Sequence, residues 1–151
     1  MPTIRFYRTR DAHGDFSNFA PFPIVLRGQV WPTSEHFFQA QKFAGTERED
    51  RIRQAPTPAD AARLGRGRNI PLRADWEQVK VEVMLEALRA KFRQHPRLRA
   101  SLLATGDATL VEHTENDAYW ADGGDGRGQN MLGRLLMQVR DELRSEAQPP
   151  R

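Results

Sequence analysis

The chain has 151 residues, no cysteine, and a formal net charge of +3 from 23 basic and 20 acidic residues. That length suits one domain spanning residues 1–151, with enough chain to bury a core without covalent staples. The missing thiols exclude disulfides, thiolate zinc sites and a cysteine nucleophile. The slightly basic balance fits phosphate-bearing partners, nucleic acid among them, without choosing a reaction. No apolar run reaches the ~18 residues a membrane span needs. The N-terminal stretch MPTIRFYRTRDAHG also lacks a signal-peptide core. The expectation is a cytoplasmic protein that does not enter membranes.

Residues 3–8 (TIRFYR) alternate like a short strand. The loop from Asp11 to Pro23 carries Phe16, Phe19 and Phe22, too apolar for a solvated linker, and is expected to pack on the body. Ile24–Leu26 and Gln29–Trp31 read as strands turning at Arg27-Gly28. Pro32-Thr33-Ser34 opens a helix that Gly45 closes. Thr46 and Glu49 have capping-box spacing for a second helix reaching about Gln54. Thr57-Pro58 starts a third, ending near Gly65. GRGRNIPLR is then a basic loop. Asp75 is placed to cap the longest helix, Trp76 to about Gln94, with Trp76, Val79, Val83, Leu88 and Phe92 as its buried stripe. Pro96 begins a short helix, Thr109–His113 reads as a strand, and a last helix runs from about Asn130 to Leu143. The tail from about 144 is expected to fray. The fold class is α+β, mostly helical with a few short strands.

Three segments can carry chemistry. On a helix from Ser34, residues Glu35, Gln39 and Lys42 fall at i, i+4 and i+7 and share one face. A carboxylate, an amide and an amine there suit acid–base or amine chemistry. The same spacing also suits the helix macrodipole, with Glu35 at the positive end and Lys42 at the negative end. Phe37, Phe38 and Phe43 make the rest of that helix apolar, so the polar stripe should face a pocket. His36 beside it reads equally as a satisfied, half-buried histidine. The second segment, Leu110 to Trp120, ends in Asp117, Tyr119 and Trp120; it reads as a loop site or as an Asn-Asp turn before a core tryptophan. The third holds Gly123, Gly124, Gly126, Arg127 and Gly128 and leads to Asn130 at a helix start. It suits an anion, or is simply a flexible loop. Arg63, Arg66, Arg68 and Arg73 form a further basic stretch that can hold a phosphate or stay solvated. The four histidines lack zinc-motif spacing, so no metal and no cofactor are expected.

In this order the segments resemble the NADAR (YbiA-like) family. The matching stretches are Phe16-Ser-Asn-Phe19, Trp31 to Phe43, Arg73-Ala-Asp-Trp76, Ala90-Lys-Phe92, Leu102 to Thr105, Leu110-Val-Glu112, Asp117-Ala-Tyr-Trp120 and Gly128 to Arg140. One departure is Ala121, where the family usually has glycine. The resemblance implies metal-free cleavage of an N-glycosidic bond. Its substrates are ribosylamino-pyrimidine phosphates of riboflavin biosynthesis, releasing ribose 5-phosphate, or, as an alternative partner, guanine ADP-ribosylated in DNA or RNA. A silent ADP-ribose or nucleotide binding module is the third reading. On the motif positions, Glu35, Lys42 and Asp117 are the expected catalytic residues. Lys42 would attack the anomeric carbon to form a Schiff base, or a carboxylate would direct water to it. Ser17, Asn18, Phe19, Trp31, His36, Gln39, Trp120, the glycine-rich loop and Asn130 are the expected substrate-binding set, with the loop and Asn130 taking phosphate. Oligomeric state is left open.

Overall fold

The structure is a computed structural model, and it describes residues 2–147. Its elements are β1 (Thr3–Phe6), β2 (Ile24–Leu26), β3 (Gln29–Trp31), α1 (Ser34–Gln41), α2 (Glu47–Arg53), α3 (Pro58–Arg66), α4 (Trp76–Gln94), α5 (Pro96–Ala104), β4 (Thr109–Glu112) and α6 (Met131–Ala147). This is the expected α+β class. Internal contacts divide the chain into two units: Pro21–Lys91, and the residues up to Ala20 together with those from Phe92 on.

In the Pro21–Lys91 unit, β2 and β3 form an antiparallel hairpin, with Val25 opposite Val30. Its two turn residues, Arg27 and Gly28, both have positive φ (54° and 75°), the left-handed pair that a tight two-residue hairpin demands. An arginine there is strained, and three hydrogen bonds hold it: two to Glu86 at 3.1 and 2.8 Å, one to Gln41 at 2.8 Å. Helix α1 is buried along its whole length. The Thr33 side chain accepts from the His36 amide and caps it. Helix α3 starts as expected, with the Thr57 hydroxyl accepting from the Asp60 amide and proline in the first turn.

Two caps differ from expectation. The Thr46 hydroxyl turns back to donate to the Phe43 carbonyl (2.7 Å), and Glu49 accepts from the Gly45 amide, so no capping box closes at α2. The Asp75 carboxylate is spent on Arg73 at 2.6 and 3.1 Å; only its carbonyl serves the first turn of α4. In both cases a nearby group, the Phe43 carbonyl for Thr46 and the Arg73 guanidinium for Asp75, takes the side chain from the helix amide.

In the other unit, β1 pairs in parallel with β4, Thr3 opposite Thr109 through Phe6 opposite Glu112. Phe16 is fully buried and meets Phe6 and Phe92 edge-on at 5.8 Å each. Of the loop phenylalanines it alone is completely buried; Phe19 is exposed and Phe22 half-buried. Helix α6 continues through Ala147, four residues past the expected end, while residues 148–151 of the expected frayed tail lie outside the described residues. A Cβ added at Gly133 would sit 2.1 Å from the Leu110 carbonyl oxygen, so α6 meets β4 backbone to backbone. Gly133→Ala should therefore cost about 1–3 kcal/mol by overpacking, read as a lower Tm in thermal melts; an unchanged Tm would show that β4 and α6 are not this close.

Candidate active site

The buried stripe of α1 puts Glu35, Gln39 and Lys42 on one face, as the spacing predicts. Glu35 and Gln39 are over nine-tenths buried, and Gln39 donates from Nε2 to Glu35 Oε2 at 2.7 Å. The other Gln39 amide atom, Oε1, is buried with no hydrogen-bond partner. It lies against α3, where a Cβ on Gly65 would come within 1.9 Å of it. Gly65 is thus the residue that lets α1 and α3 close up at the site. Lys42 follows α1 and is half-buried, its Nζ above the Phe38 ring and 3.5 Å from the Gly65 carbonyl oxygen. Burial, joined by the positive charges of Arg68 and Arg66, pulls its amine down to about 8, against the opposing pull of Glu35. An amine so placed is partly neutral near neutral pH, as a nucleophile must be.

Other expected residues of this unit have structural duties. Trp31 is buried, its indole donates to the Leu26 carbonyl at 3.1 Å, and it meets Phe37 edge-on at 5.2 Å. His36 uses both ring nitrogens, Nδ1 toward the Thr33 hydroxyl at 2.8 Å and Nε2 toward the Ala55 carbonyl at 3.0 Å. A carbonyl only accepts, so Nε2 carries the proton and Nδ1 accepts from Thr33. A cavity of about 370 Å³ lies between Arg27, Arg73 and the Val79–Arg89 stretch of α4; Arg73 of the basic stretch lines it, and none of the expected catalytic or substrate-binding set does.

The second group belongs to the other unit. Asp117 Oδ1 accepts from the amides of Tyr119 and Trp120, both at 2.8 Å, making the turn that the sequence allowed. Trp120 is half-buried and edge-on to Tyr119 at 5.0 Å. Ser17 is buried, and its hydroxyl accepts from the Phe19 amide at 3.1 Å; Asn18 is buried and Phe19 exposed.

The glycine-rich loop is knitted to the turn before it. The amides of Gly123, Gly128, Gln129, Asn130, Met131 and Leu132 donate to carbonyls of residues 117–122 at 2.7–3.0 Å. The Gly124 and Arg127 amides go to Asp122 and Asp125. Gly126, at φ 82°, has open space around it. Arg127 is exposed. Asn130, at φ 51°, clamps β4, accepting from the Glu112 amide and donating to the Leu110 carbonyl. The backbone donors that an anion would use here are therefore mostly engaged. Asp122, which the sequence reading passed over, organises this knot. It accepts from His113, Thr114 and Gly124. Burial pushes its carboxyl up, but those hydrogen bonds outweigh burial and hold it below the usual range. An Asp followed by Gly-Gly was the available signal. Ala121 is fully buried and has no positive φ, so replacing the family glycine costs nothing in backbone conformation.

The match to known proteins is extensive. The NADAR domain model matches residues 5–144. The chain belongs to the NADAR family. It is 60% identical over 143 residues to the N-glycosidase YbiA of Escherichia coli K12, covering 95% of this chain and 89% of that one. It is 46% identical over 144 residues to the riboflavin biosynthesis protein VVA0006 of Vibrio vulnificus, covering 95% of this chain and 39% of that one. The NMR structure of E. coli YbiA superposes with a TM-score of 0.89 at 59% identity, covering 96% and 86% of the two chains. Within this NADAR chain, no helix among the described residues is long and apolar enough to cross a membrane.

His36 gives a stability test. Burial holds its pKa below the ordinary 6.5, against the opposing effect of its hydrogen bond to the Ala55 carbonyl. The unfolded chain therefore binds the extra proton more readily, and its stabilisation is present above 6.5 and lost as pH falls below it. Thermal melts should show Tm dropping from pH 7 toward pH 5, with a shallower drop in His36→Gln; equal slopes would remove His36 as the cause.

Proposed function

We propose that this chain is an N-glycosidase acting on a phosphorylated ribose joined to an amino nitrogen of a heterocycle. A ribosylamino-pyrimidine phosphate of riboflavin biosynthesis is the preferred substrate, and ribose 5-phosphate a product. The observation that carries this reading is the Lys42 amine, held at about 8 near a buried Glu35 on one helix face. The names of the N-glycosidase and riboflavin-pathway relatives support it, and they set it ahead of ADP-ribosylated nucleic acid.

The chemistry starts from the aminal at C1 of the sugar. Ring opening moves the C1–O electrons to the ring oxygen, which takes a proton, and leaves an imine at C1. Neutral Lys42 Nζ attacks C1. Glu35 takes a proton from the newly bonded Lys42 nitrogen and delivers it to the heterocycle's amino nitrogen, the C1–N bond breaks, and the amine departs. The lysine imine then adds water and releases the sugar, which regenerates the Lys42 amine. The hydrogen bond from Gln39 orients Glu35 throughout.

Wild type should cleave the ribosylamino-pyrimidine phosphate, and Glu35→Gln should lower kcat by about 10²- to 10⁴-fold, the usual worth of a proton shuttle. Because the nucleophile is the free amine, kcat/KM should rise with pH and level off above about 8. Borohydride added during turnover should leave a reduced sugar adduct on Lys42, located by mass spectrometry. An active enzyme that never traps would establish direct attack by water instead, and no cleavage by wild type would overturn the activity.

By its motif position Asp117 is a further proposed functional residue, acting through Oδ2. Asp117→Asn keeps the Oδ1 acceptor of its turn, so it should lose activity with Tm unchanged. Full activity in that variant would leave Asp117 a turn residue only.

A further inference from the structure

We propose that the Gly65–Arg68 segment is the phosphate subsite of this enzyme, with Arg66 and Arg68 supplying the charge. The proposal deepens the N-glycosidase reading and rests on it for the identity of the phosphate as the 5-phosphomonoester of the ribose.

The segment is fixed in place and its charges are not. Buried Arg48 donates from Nη1 to the Leu64 carbonyl at 2.9 Å and from Nη2 to Asn69 Oδ1 at 2.8 Å, which braces both sides of the segment. Both glycines pack against side chains: a Cβ on Gly65 would meet the Gln39 amide at 1.9 Å, and one on Gly67 the Arg48 guanidinium at 2.9 Å. Arg68 folds back, and its Nη1 reaches the carbonyls of Gly65 (2.8 Å) and Gly67 (2.9 Å). Its Nε and Nη2 groups make no hydrogen bond among the described residues, and Arg66 makes no hydrogen bond or ion pair there. Both arginines are exposed. In the same unit Arg27, Arg53, Arg63 and Arg73 each face a carboxylate. Arg66 and Arg68 pair with no carboxylate among the described residues, and both act on the candidate nucleophile.

A helix C-terminus normally repels anions, because its last carbonyls point outward. Here those carbonyls are covered: Leu64 by Arg48, Gly65 by Arg68 and Lys42, Gly67 by Arg68. Lys42 Nζ and Arg68 Nη1 contact the same oxygen, so the two cationic heads lie within two hydrogen-bond lengths. A ribofuranose separates its C1 from its 5-phosphate on that scale, which allows C1 at Lys42 and the phosphate on the open edges of Arg66 and Arg68. Guanidinium pairs bind phosphate oxygens through charge-assisted, often bidentate hydrogen bonds. The glycine-rich loop, the other segment suited to an anion by its sequence, has most of its amides committed to its own turn.

The subsite also couples to the amine. The groups acting on Lys42 are Glu35 on its own helix and Arg66 and Arg68 from α3 and the loop after it. From α2, Arg48 is turned to Leu64 and Asn69, and Glu49 to Gln41 and Gly45. A bound phosphate offsets the two arginines, so it raises the pH at which Lys42 titrates, and by linkage a protonated Lys42 tightens phosphate.

Inorganic phosphate is the probe, titrated into isotope-labelled protein and followed by amide chemical shifts. Residues 64–69 should shift, and Arg68→Ala should raise Kd about tenfold or more, the worth of one charged hydrogen bond. The double variant Arg66→Ala/Arg68→Ala should lose the response, while Arg51→Ala, which removes an exposed charge from α2, should keep it. Lys42→Met, which abolishes turnover if the proposed chemistry holds, should still shift at 64–69, so a failed subsite and a failed activity give different results. The pH midpoint of Lys42 labelling by an amine-selective reagent should move up when phosphate is added. Shifts confined to residues 123–130, shifts at 64–69 that survive in the double variant, or an unmoved labelling midpoint would each overturn the proposal.

Discussion

The missing side chain at Gly65 governs the candidate site. Because no Cβ stands there, the Gln39 amide can lie against α3 and reach back to Glu35. The same approach exposes the Gly65 carbonyl to Lys42 and to Arg68. One close contact thus seats the Gln39 side chain that orients the carboxylate, and the same residue's carbonyl receives the amine and one of the guanidiniums that lower its pKa. A methyl group there would push on the Gln39 amide and, through it, on Glu35. Gln39 also retains a buried acceptor with nothing to accept from. Such a group costs free energy when left unmet, and an active site is where a fold tolerates that cost, because a ligand's N–H or O–H removes it.

The glycine-rich loop illustrates the opposite use of the same residue type. Its glycines permit a knot in which the amides after Asp122 return to the carbonyls of 117–122. Gly128 shows the crowding: a Cβ there would lie 2.5 Å from the Ala121 carbonyl oxygen. Close backbone approach is what glycine offers in both places. Near α1 it brings functional groups together, and here it seals a turn to the start of α6 and, through Asn130, to β4.

Much of this was legible in the sequence, for identifiable reasons. The Arg27-Gly28 turn, the Thr57-Pro58 start and the Glu35–Gln39–Lys42 face follow from local rules, and local geometry honours them. The caps at Thr46 and Asp75 were misread because a competing donor or acceptor one turn away cannot be weighed from spacing alone. Trp31 and His36 look available to a ligand in one dimension; their partners at Leu26 and Ala55 come from the fold. The glycine loop suits an anion by its composition, and only the fold shows that most of its amides bond within its own turn. The basic stretch around Arg66 and Arg68 looked like ordinary solvated charge, since the sequence does not show which arginines find carboxylates. Arg63 finds Asp60, while Arg66 and Arg68 find none among the described residues.

The parallel ladder of β1 and β4 carries a consequence for how the molecule is made. Thr3 must wait for Thr109 before it has a partner. Nearly the whole intervening chain has to be present, and its loop entropy paid, before these strands can zip. Nothing local can register β1, whereas the β2–β3 hairpin closes across two residues. On the ribosome the first strand emerges early and stays single until a hundred residues have followed it. The last helix, whose Gly133 rests on Leu110, then locks a ladder that only the late part of the chain could complete.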